Sequence, residues 1–364
     1  MKEIDRVNVF YHSQKVGTLG VTRNHLCAFE YDPEFVQTGF SISPFFLPLK
    51  SEVFVAKRTP FQGGFGVFDD CLPDGWGSLI LDRYLKNKGI NPSQLNILQR
   101  LALVGTNGRG ALEFHPDWSE ASQNEHIDFD QLAKDASQIL SSDESSKGIE
   151  TLYQHGGSPG GARPKVFVRI DNEEWLVKFK SHNDPENMGE IEYRYSLLAK
   201  DCGIKMPETK LFENKYFGTK RFDRITEAKI HTISAAGLLH ANFREPSLDY
   251  EGLLQACLLL TKNMEQVLML YRLMVFNVLI ENKDDHAKNF SFQFFENEWH
   301  LSPAYDILPS IGFNGHHTTT VNAKGKPNRN DLLVIAKKIG INSHTASHIV
   351  LEIEDKVRGV SGRL

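Results

Sequence analysis

The chain has 364 residues, 40% hydrophobic and 24% charged, an ordinary globular composition with length for two or three cores. A formal net charge of −5 excludes a large basic face that grips nucleic acid unaided. Four well-separated cysteines, Cys27, Cys71, Cys202 and Cys257, exclude a disulfide framework and a CxxC-type zinc site.

MKEIDRVNVFYHS has no apolar h-region, so the expectation is a cytoplasmic protein without a signal peptide. Residues 1–70 read as short strands: VNVFYHSQKVGTLGV alternates and turns at Gly17, and HLCAFEYD and GFSISPFFLPL follow. Residues 71–104 read as helical, with a turn at Pro73 to Gly75 and an apolar face of Leu79, Ile80 and Leu85. Asn91 is the expected N-cap of a helix with Pro92 at its first position. GTNGRGALEFHPD returns to extended structure. Residues 118–150 are polar: Asp128 or Asp130 caps a helix carrying Leu132, Ala136 and Leu140, and 141–148 reads as a linker.

GGSPGGARPK (156–165) then precedes strand, turn, strand through VFVRID and EEWLVKFKS. EIEYRYSLLAKDCGI is a helix closed by Gly203. Two strands flank a turn at Asn214, and helices are expected over 249–260, 264–281 and 328–350. The stretch 253–280 is too interrupted, by Lys262, Glu265 and Arg272, to span a bilayer. The fold class is therefore α+β, with residues 1–118 a β-rich N-terminal domain and 119–150 a helical linker. Residues 151–230 form a small β lobe and 231–364 a helical lobe, with a ligand cleft expected between the lobes.

The chemistry concentrates in NKDDHAKNF (282–290). Asp284 and Asn289 stand five positions apart after a buried helix; a hairpin and then Asp306 follow. Protein kinases use that order: an Asp that takes the hydroxyl proton, an Asn on magnesium, and an Asp on magnesium beyond a hairpin. Mg²⁺ requires such hard oxygens and is held by only one or two carboxylates plus phosphate oxygens. Lys288 could offset charge on a transferring phosphoryl group. Upstream, alternation sends Trp175 and Val177 to one face of a strand and Leu176 and Lys178 to the other. Lys178 is thus a candidate phosphate clamp, with Glu190 or Glu192 as its partner. Ser158, Gly160, Gly161 and Ala162 lie in a loop able to turn backbone N–H groups toward phosphate. Singly, these features are ordinary: a solvated turn, a flexible loop, a surface lysine. Their order along one chain is what argues for phosphoryl transfer.

Several motifs together resemble the HipA toxin kinases of bacterial type II toxin–antitoxin modules. FDDCLPDGWG (68–77), LALVGTNGRGALEFHPD (101–117), SPGGARPK (158–165), KRFDR (220–224), DDHAKNFS (284–291) and SPAYDILPS (302–310) are each similar to a family motif, in the family's order. The resemblance implies a protein-kinase-like two-lobed unit after the N-terminal domain, acting on protein Ser/Thr with ATP and Mg²⁺. It implies Asp284 as catalytic base, Asn289 and Asp306 as magnesium ligands and Lys178 as phosphate clamp. His286 and Lys288 would line the pocket. The backbone from Lys220 to Phe222 would form the adenine-binding hinge, and Ser158 would be autophosphorylated. It further implies a helix-turn-helix, HipB-like antitoxin, operator DNA bound mainly through that antitoxin, and a protein substrate such as an aminoacyl-tRNA synthetase; no membrane is involved. Arg163 and Pro164 depart from the usual Gln–Glu of the loop, and Asp285 places two carboxylates side by side. Two other functions compete: a catalytically weak kinase-fold co-repressor scaffold, and a small-molecule phosphotransferase.

Overall fold

A computed structural model describes residues 3–120, 127–141, 148–156, 161–225, 228–312 and 314–360. The chain divides into two compact units, Met1–Glu190 with Thr209–Thr232, and Ile191–Glu208 with Ile233–Leu364.

The first unit begins with an antiparallel sheet of five strands, Arg6–Tyr11, Gln14–Val21, Cys27–Tyr31, Val53–Val55 and Leu112–His115. The first three are neighbours by hairpin connection, and the last closes against Arg6–Tyr11. Alternation does the sorting: Val7 and Val9 are buried while Arg6 and Asn8 face water. GFSISPFFLPL, expected to be extended, forms no strand; its one ladder contact is an isolated bridge from Ser43 to Leu47. The phenol of Tyr31 organises it instead, donating to the Leu47 carbonyl at 2.6 Å and accepting from the Ile42 N–H at 3.1 Å.

Helix Gly75–Asn87 buries Trp76, Ile80, Leu81, Tyr84 and Leu85. These join a core cluster with Leu132, Ala136 and Ile139 of helix Phe129–Ser141 and with Val166, Val168, Trp175 and Val177. Asn91 caps only the short turn Pro92–Gln94; the helix proper is Ile97–Val104, started by a reciprocal capping box between Asn96 and Gln99. Asp128 is the cap of Phe129–Ser141, accepting from the Gln131 N–H at 2.9 Å. A helix not anticipated, Ile149–Gly156, follows.

The second sheet of this unit has four antiparallel strands in the order Lys165–Ile170, Glu173–Lys178, Tyr216–Lys220, Thr209–Phe212. Its hairpins turn at Asp171–Asn172, a two-residue connection, and at Glu213–Asn214 within a longer one, and all four residues have the positive φ of tight hairpin turns.

The second unit is dominated by helices Tyr250–Thr261, Met264–Leu279, Arg329–Ile339 and Ser343–Val360. The single helix expected over 328–350 is two, because Gly340 closes the first in a left-handed conformation, φ 81°. Met264–Leu279 buries Val267, Leu270, Tyr271, Leu273, Met274, Val275 and Phe276, and runs directly into the DDH turn. The expected hairpin after that turn is Ser291–Phe295 with Glu298–Leu301. Arg272, midway along the helix, donates to the Cys202 carbonyl at 2.9 Å and pairs with Glu352 at 2.8 Å. Among the described residues no helix is long and apolar enough to cross a membrane.

Candidate active site

The two adjacent carboxylates of DDH have opposite environments. Asp284 is exposed, whereas Asp285 is 0% exposed. Oδ2 of Asp285 accepts from the Tyr250 hydroxyl at 3.0 Å and from Nδ1 of His317 at 2.9 Å. Its Oδ1 accepts from the backbone N–H of Thr318 at 2.9 Å and of Thr319 at 3.2 Å. A buried carboxylate persists only with such compensation. Asp285 is therefore a structural anchor that leaves its neighbour to face solvent.

The turn after it is built locally. His286 caps the short 3₁₀ turn Ala287–Asn289, its Nδ1 accepting from the Lys288 N–H at 3.2 Å. Nδ2 of Asn289 donates to the Asp284 carbonyl at 2.7 Å. The carboxamide is thereby oriented, with its oxygen left for a ligand. Ala287 packs on Ala236 and Ala241, seating the turn against helix Ala235–Leu239. The Lys288 ammonium lies 4.1 Å from the centroid of the Phe243 ring, which the Arg244 guanidinium also approaches, at 4.5 Å.

Asp306 has φ 53°, the left-handed region that Asp and Asn tolerate better than most side chains. Its position is tied to the DDH turn from both sides. The hydroxyl of the preceding residue, Tyr305, donates to the Lys288 carbonyl at 2.7 Å. The carbonyl of Asp306 itself accepts from Asn282 at 3.4 Å. The structure thus brings Asp284, His286, Lys288, Asn289 and Asp306 into one hydrogen-bonded framework. The metal donors, the Asp306 carboxylate and the Asn289 carboxamide oxygen, are hard oxygens that fit Mg²⁺ held jointly with phosphate. Among the described residues no group of three or more His, Cys, Asp or Glu offers an all-protein metal cage.

In the first unit, Lys178 is 8% exposed and its ammonium lies 5.5 Å from the Phe217 ring centroid. Directly opposite it across the sheet stands Lys165, 4% exposed. Opposed residues share a face, so the two lysine side chains leave the sheet on the same side. Lys178 is legible in the sequence as a site residue and Lys165 is not: it precedes Lys178 by 13 residues, and only the hairpin register sets the two opposite each other. Gly161, φ 87°, admits the Lys165 ammonium: a Cβ there would lie 2.8 Å from Nζ.

The foot of the glycine-rich loop is clamped by the DGWG turn. Asp74 accepts from the Gly161 N–H, the Trp76 N–H donates to the Gly161 carbonyl at 2.8 Å, and the Trp76 indole donates to the Lys165 carbonyl at 3.0 Å. Gly75 is required there, because a Cβ would meet the Gly161 carbonyl at 2.5 Å. Ala162 is exposed, and Arg163 is held by two hydrogen bonds to Asp184, at 3.0 and 3.1 Å. Ser158 and Gly160 lie outside the described residues.

In KRFDR, Lys220 ends its strand opposite Trp175 and pairs through its side chain with Glu173, while Phe222 is half-buried. The Arg221 N–H is taken by the Glu174 carbonyl at 2.8 Å, so any backbone contact to a base falls to its neighbours. The charged residues of the motif have a separate task. Asp223 binds both Arg221, at 2.8 Å, and Arg224, at 3.0 Å, and accepts from the Gly110 N–H at 2.8 Å. Arg224 returns hydrogen bonds of 2.9 Å to the carbonyls of Gly108 and Gly110. Burial alone would raise the Asp223 carboxyl, but the two guanidinium groups outweigh it and hold that carboxyl well below the usual range. RFDR is thus the buried seat of the TNGRG loop.

Residues 157–360 match the family model for the HipA-like C-terminal domain, and residues 7–115 that for the HipA N-terminal domain. No curated protein sequence matches the chain. Among solved structures it is similar to HipA of Shewanella oneidensis MR-1, determined with HipB and operator DNA. Identity is 17%, the TM-score 0.72, and the overlap covers 97% of this chain and 89% of that one. The shared fold is the expected α+β one, a β-rich N-terminal domain followed by a small sheet lobe and a helical lobe. The Helicobacter pylori proinflammatory kinase CtkA overlaps 57% of this chain and 90% of its own length at 17% identity. Its TM-score of 0.36 is too low to bear on the fold.

Proposed function

We propose that this chain, which belongs to the HipA family, is an ATP-dependent Ser/Thr protein kinase serving as the toxin of a type II toxin–antitoxin module. The observation that carries the reading is the division of labour at DDH. Asp285 absorbs four buried donors, while the adjacent Asp284 stays exposed and has its carbonyl held by Asn289.

Asp284 accepts the proton of a substrate hydroxyl as the hydroxyl oxygen attacks the γ-phosphorus of ATP and ADP departs with the bridging oxygen. Asn289 and Asp306 offer the oxygens for magnesium, which, with ATP, supplies neutralisation of phosphate charge. Lys178 and Lys165 hold phosphate oxygens, and Lys288 adds positive charge beside the base. Lys220 and Phe222 meet adenine through their backbone, and His286 supports the turn as its cap. Ser158 is the autophosphorylation site. A phosphate there adds roughly −1.5 to −2 charges, repelling ATP. The S. oneidensis relative assembles with HipB and operator DNA; by analogy a HipB-like helix-turn-helix antitoxin neutralises this chain and carries most of the DNA contact. The protein substrate is a component of translation, an aminoacyl-tRNA synthetase being the first candidate.

Intact mass and phosphosite mapping after incubation with Mg-ATP, beside Asp284→Asn, tests this. One added phosphate on Ser158 in the wild type alone supports it. ATP binding with no transfer to Ser158 or to any protein of a cytosolic extract would favour the co-repressor scaffold. Transfer only to a small alcohol would favour the small-molecule phosphotransferase.

A further inference from the structure

The donors around Asp285 do not come from its own turn. His317, Thr318 and Thr319 belong to the segment that follows Asp306, and Tyr250 opens a helix. A second strand of contacts joins the same partners. The Thr319 hydroxyl donates to the Asp285 carbonyl, and Thr318 donates through N–H and hydroxyl to the Lys283 carbonyl, at 3.2 and 3.0 Å. Every residue from 283 to 285 is therefore gripped by 317–319 or adjoins one that is.

The shell continues inward. Asn277 donates to the Tyr250 oxygen at 3.0 Å, and Asn282 donates both to Oδ1 of Asn277 at 3.0 Å and to the Asp306 carbonyl at 3.4 Å. One run of hydrogen bonds thus passes from the Asp306 backbone through Asn282, Asn277 and Tyr250 to Asp285, where His317 completes it. From Asn282 through Asn277 and Tyr250 the donors all point toward Asp285, so each polarises the next, and His317 donates to the same carboxylate from the other side. Asn277, Asn282, Asp285 and His317 are at most 4% exposed, and Tyr250 is 0% exposed. A carboxylate accepts only, so Nδ1 of His317 carries the proton in this contact.

We propose that His317 is a positioning residue of the phosphoryl-transfer site. By donating to Asp285 it orients the turn that presents Asp284, and through the shared network it sets that turn against Asp306. The inference rests on the kinase reading of the same site. A merely structural role would move stability and activity together; a positioning role lowers kcat in protein that remains folded, because reacting groups are misplaced rather than lost.

The experiment compares wild type, His317→Ala and His317→Asn, the last keeping a donor near the place of Nδ1. Phosphate transfer from Mg-ATP is measured with hydrogen exchange of peptides covering 282–290 and 316–320, in the full chain and below the melting range of every variant. His317→Ala should lower kcat about 100-fold with KM for ATP within about twofold, and should speed exchange in those two peptides alone. His317→Asn should recover most of both. An unchanged kcat in folded His317→Ala overturns the proposal, and so does an Asn variant no better than Ala. If the wild type transfers no phosphate, the kinase reading fails by itself. Exchange then decides the positioning claim separately: unaltered protection of 282–290 in His317→Ala overturns it, and selective loss there upholds His317 as the orienting residue of the turn.

Discussion

The indole N–H of Trp76 donates to the carbonyl of Lys165, 89 positions further along the chain. Through that bond a residue of the N-terminal domain sets the start of the strand that carries one of the two opposed lysines. Trp76→Phe keeps most of the ring volume and removes the donor, orphaning a buried carbonyl. It should lower stability by about 1–3 kcal/mol in urea unfolding and weaken ATP binding by calorimetry. Trp76→Ala should cost more, about 3–5 kcal/mol, because it also opens a cavity in the shared core.

Asp284 and Asp285 should separate chemistry from stability. Asp284→Asn removes an exposed carboxylate and should change stability by less than about 0.5 kcal/mol, while reducing phosphate transfer about 10²–10⁴-fold. Asp285→Asn leaves buried donors facing an amide and should destabilise by about 3–5 kcal/mol. Thermal melts of the two variants side by side give the answer; equal losses of stability would contradict the division of roles.

His231 predicts a pH dependence. Its ring is 1% exposed, and burial lowers its pKa from 6.5 to about 4, an effect that the hydrogen bond to the Ile42 carbonyl only partly opposes. The folded state therefore holds the imidazole neutral where the unfolded chain is already protonated. Its stability is fully present above pH 6.5 and is lost as pH falls toward about 4. At about 1.4 kcal/mol per pKa unit this amounts to roughly 3 kcal/mol. Urea midpoints measured between pH 7 and pH 4.5 should fall accordingly, and His231→Gln should flatten the slope.

Asp223 should add a second, more acidic dependence. Its folded pKa is depressed, so its stabilisation is present above the unfolded value near 4 and is lost as pH falls below it. Asp223→Asn leaves Arg221 and Arg224 buried without their shared acid and should cost about 3–5 kcal/mol. The same variant should expose the TNGRG loop to limited proteolysis.

Leu270, 0% exposed in helix Met264–Leu279, reports on the support beneath the site. Leu270→Ala should destabilise by about 2–5 kcal/mol in chemical denaturation, with KM for ATP unchanged in the folded fraction.

Much of this was legible in the sequence. Asp284, Asn289 and Asp306 announce themselves by spacing, and alternation in EEWLVK correctly separates Lys178 from the Trp175 and Val177 face. What stayed hidden depends on partners distant in sequence. His317 sits in an unremarkable HHTTT run, and only the folded chain shows that it meets Asp285. Tyr250 opens the helix expected over 249–260, and nothing in that pattern points to its bond with Asp285. Asn277 did leave a trace, a lone carboxamide within the apolar run MVFNVL, which a search for polar residues on a buried helix face would catch. The family resemblance implies a hinge at Lys220 to Phe222; that Arg221 and Arg224 spend their charge on buried Asp223 and on glycine carbonyls needs the geometry. Gly340 is a legible stop within 328–350, concealed by an apolar period that continues across it.

Four donors aimed at one buried carboxylate cannot be inherited piecemeal. A chain with glycine in place of Asp285 would leave the Tyr250 hydroxyl, the imidazole of His317 and two amides with nothing to receive them, at about 1–3 kcal/mol each. Glycine there obliges a different residue at 317 and a different course for the backbone after it. Positions 285 and 317, 32 residues apart, should therefore covary among descendants of this sequence, behaving as one character under selection.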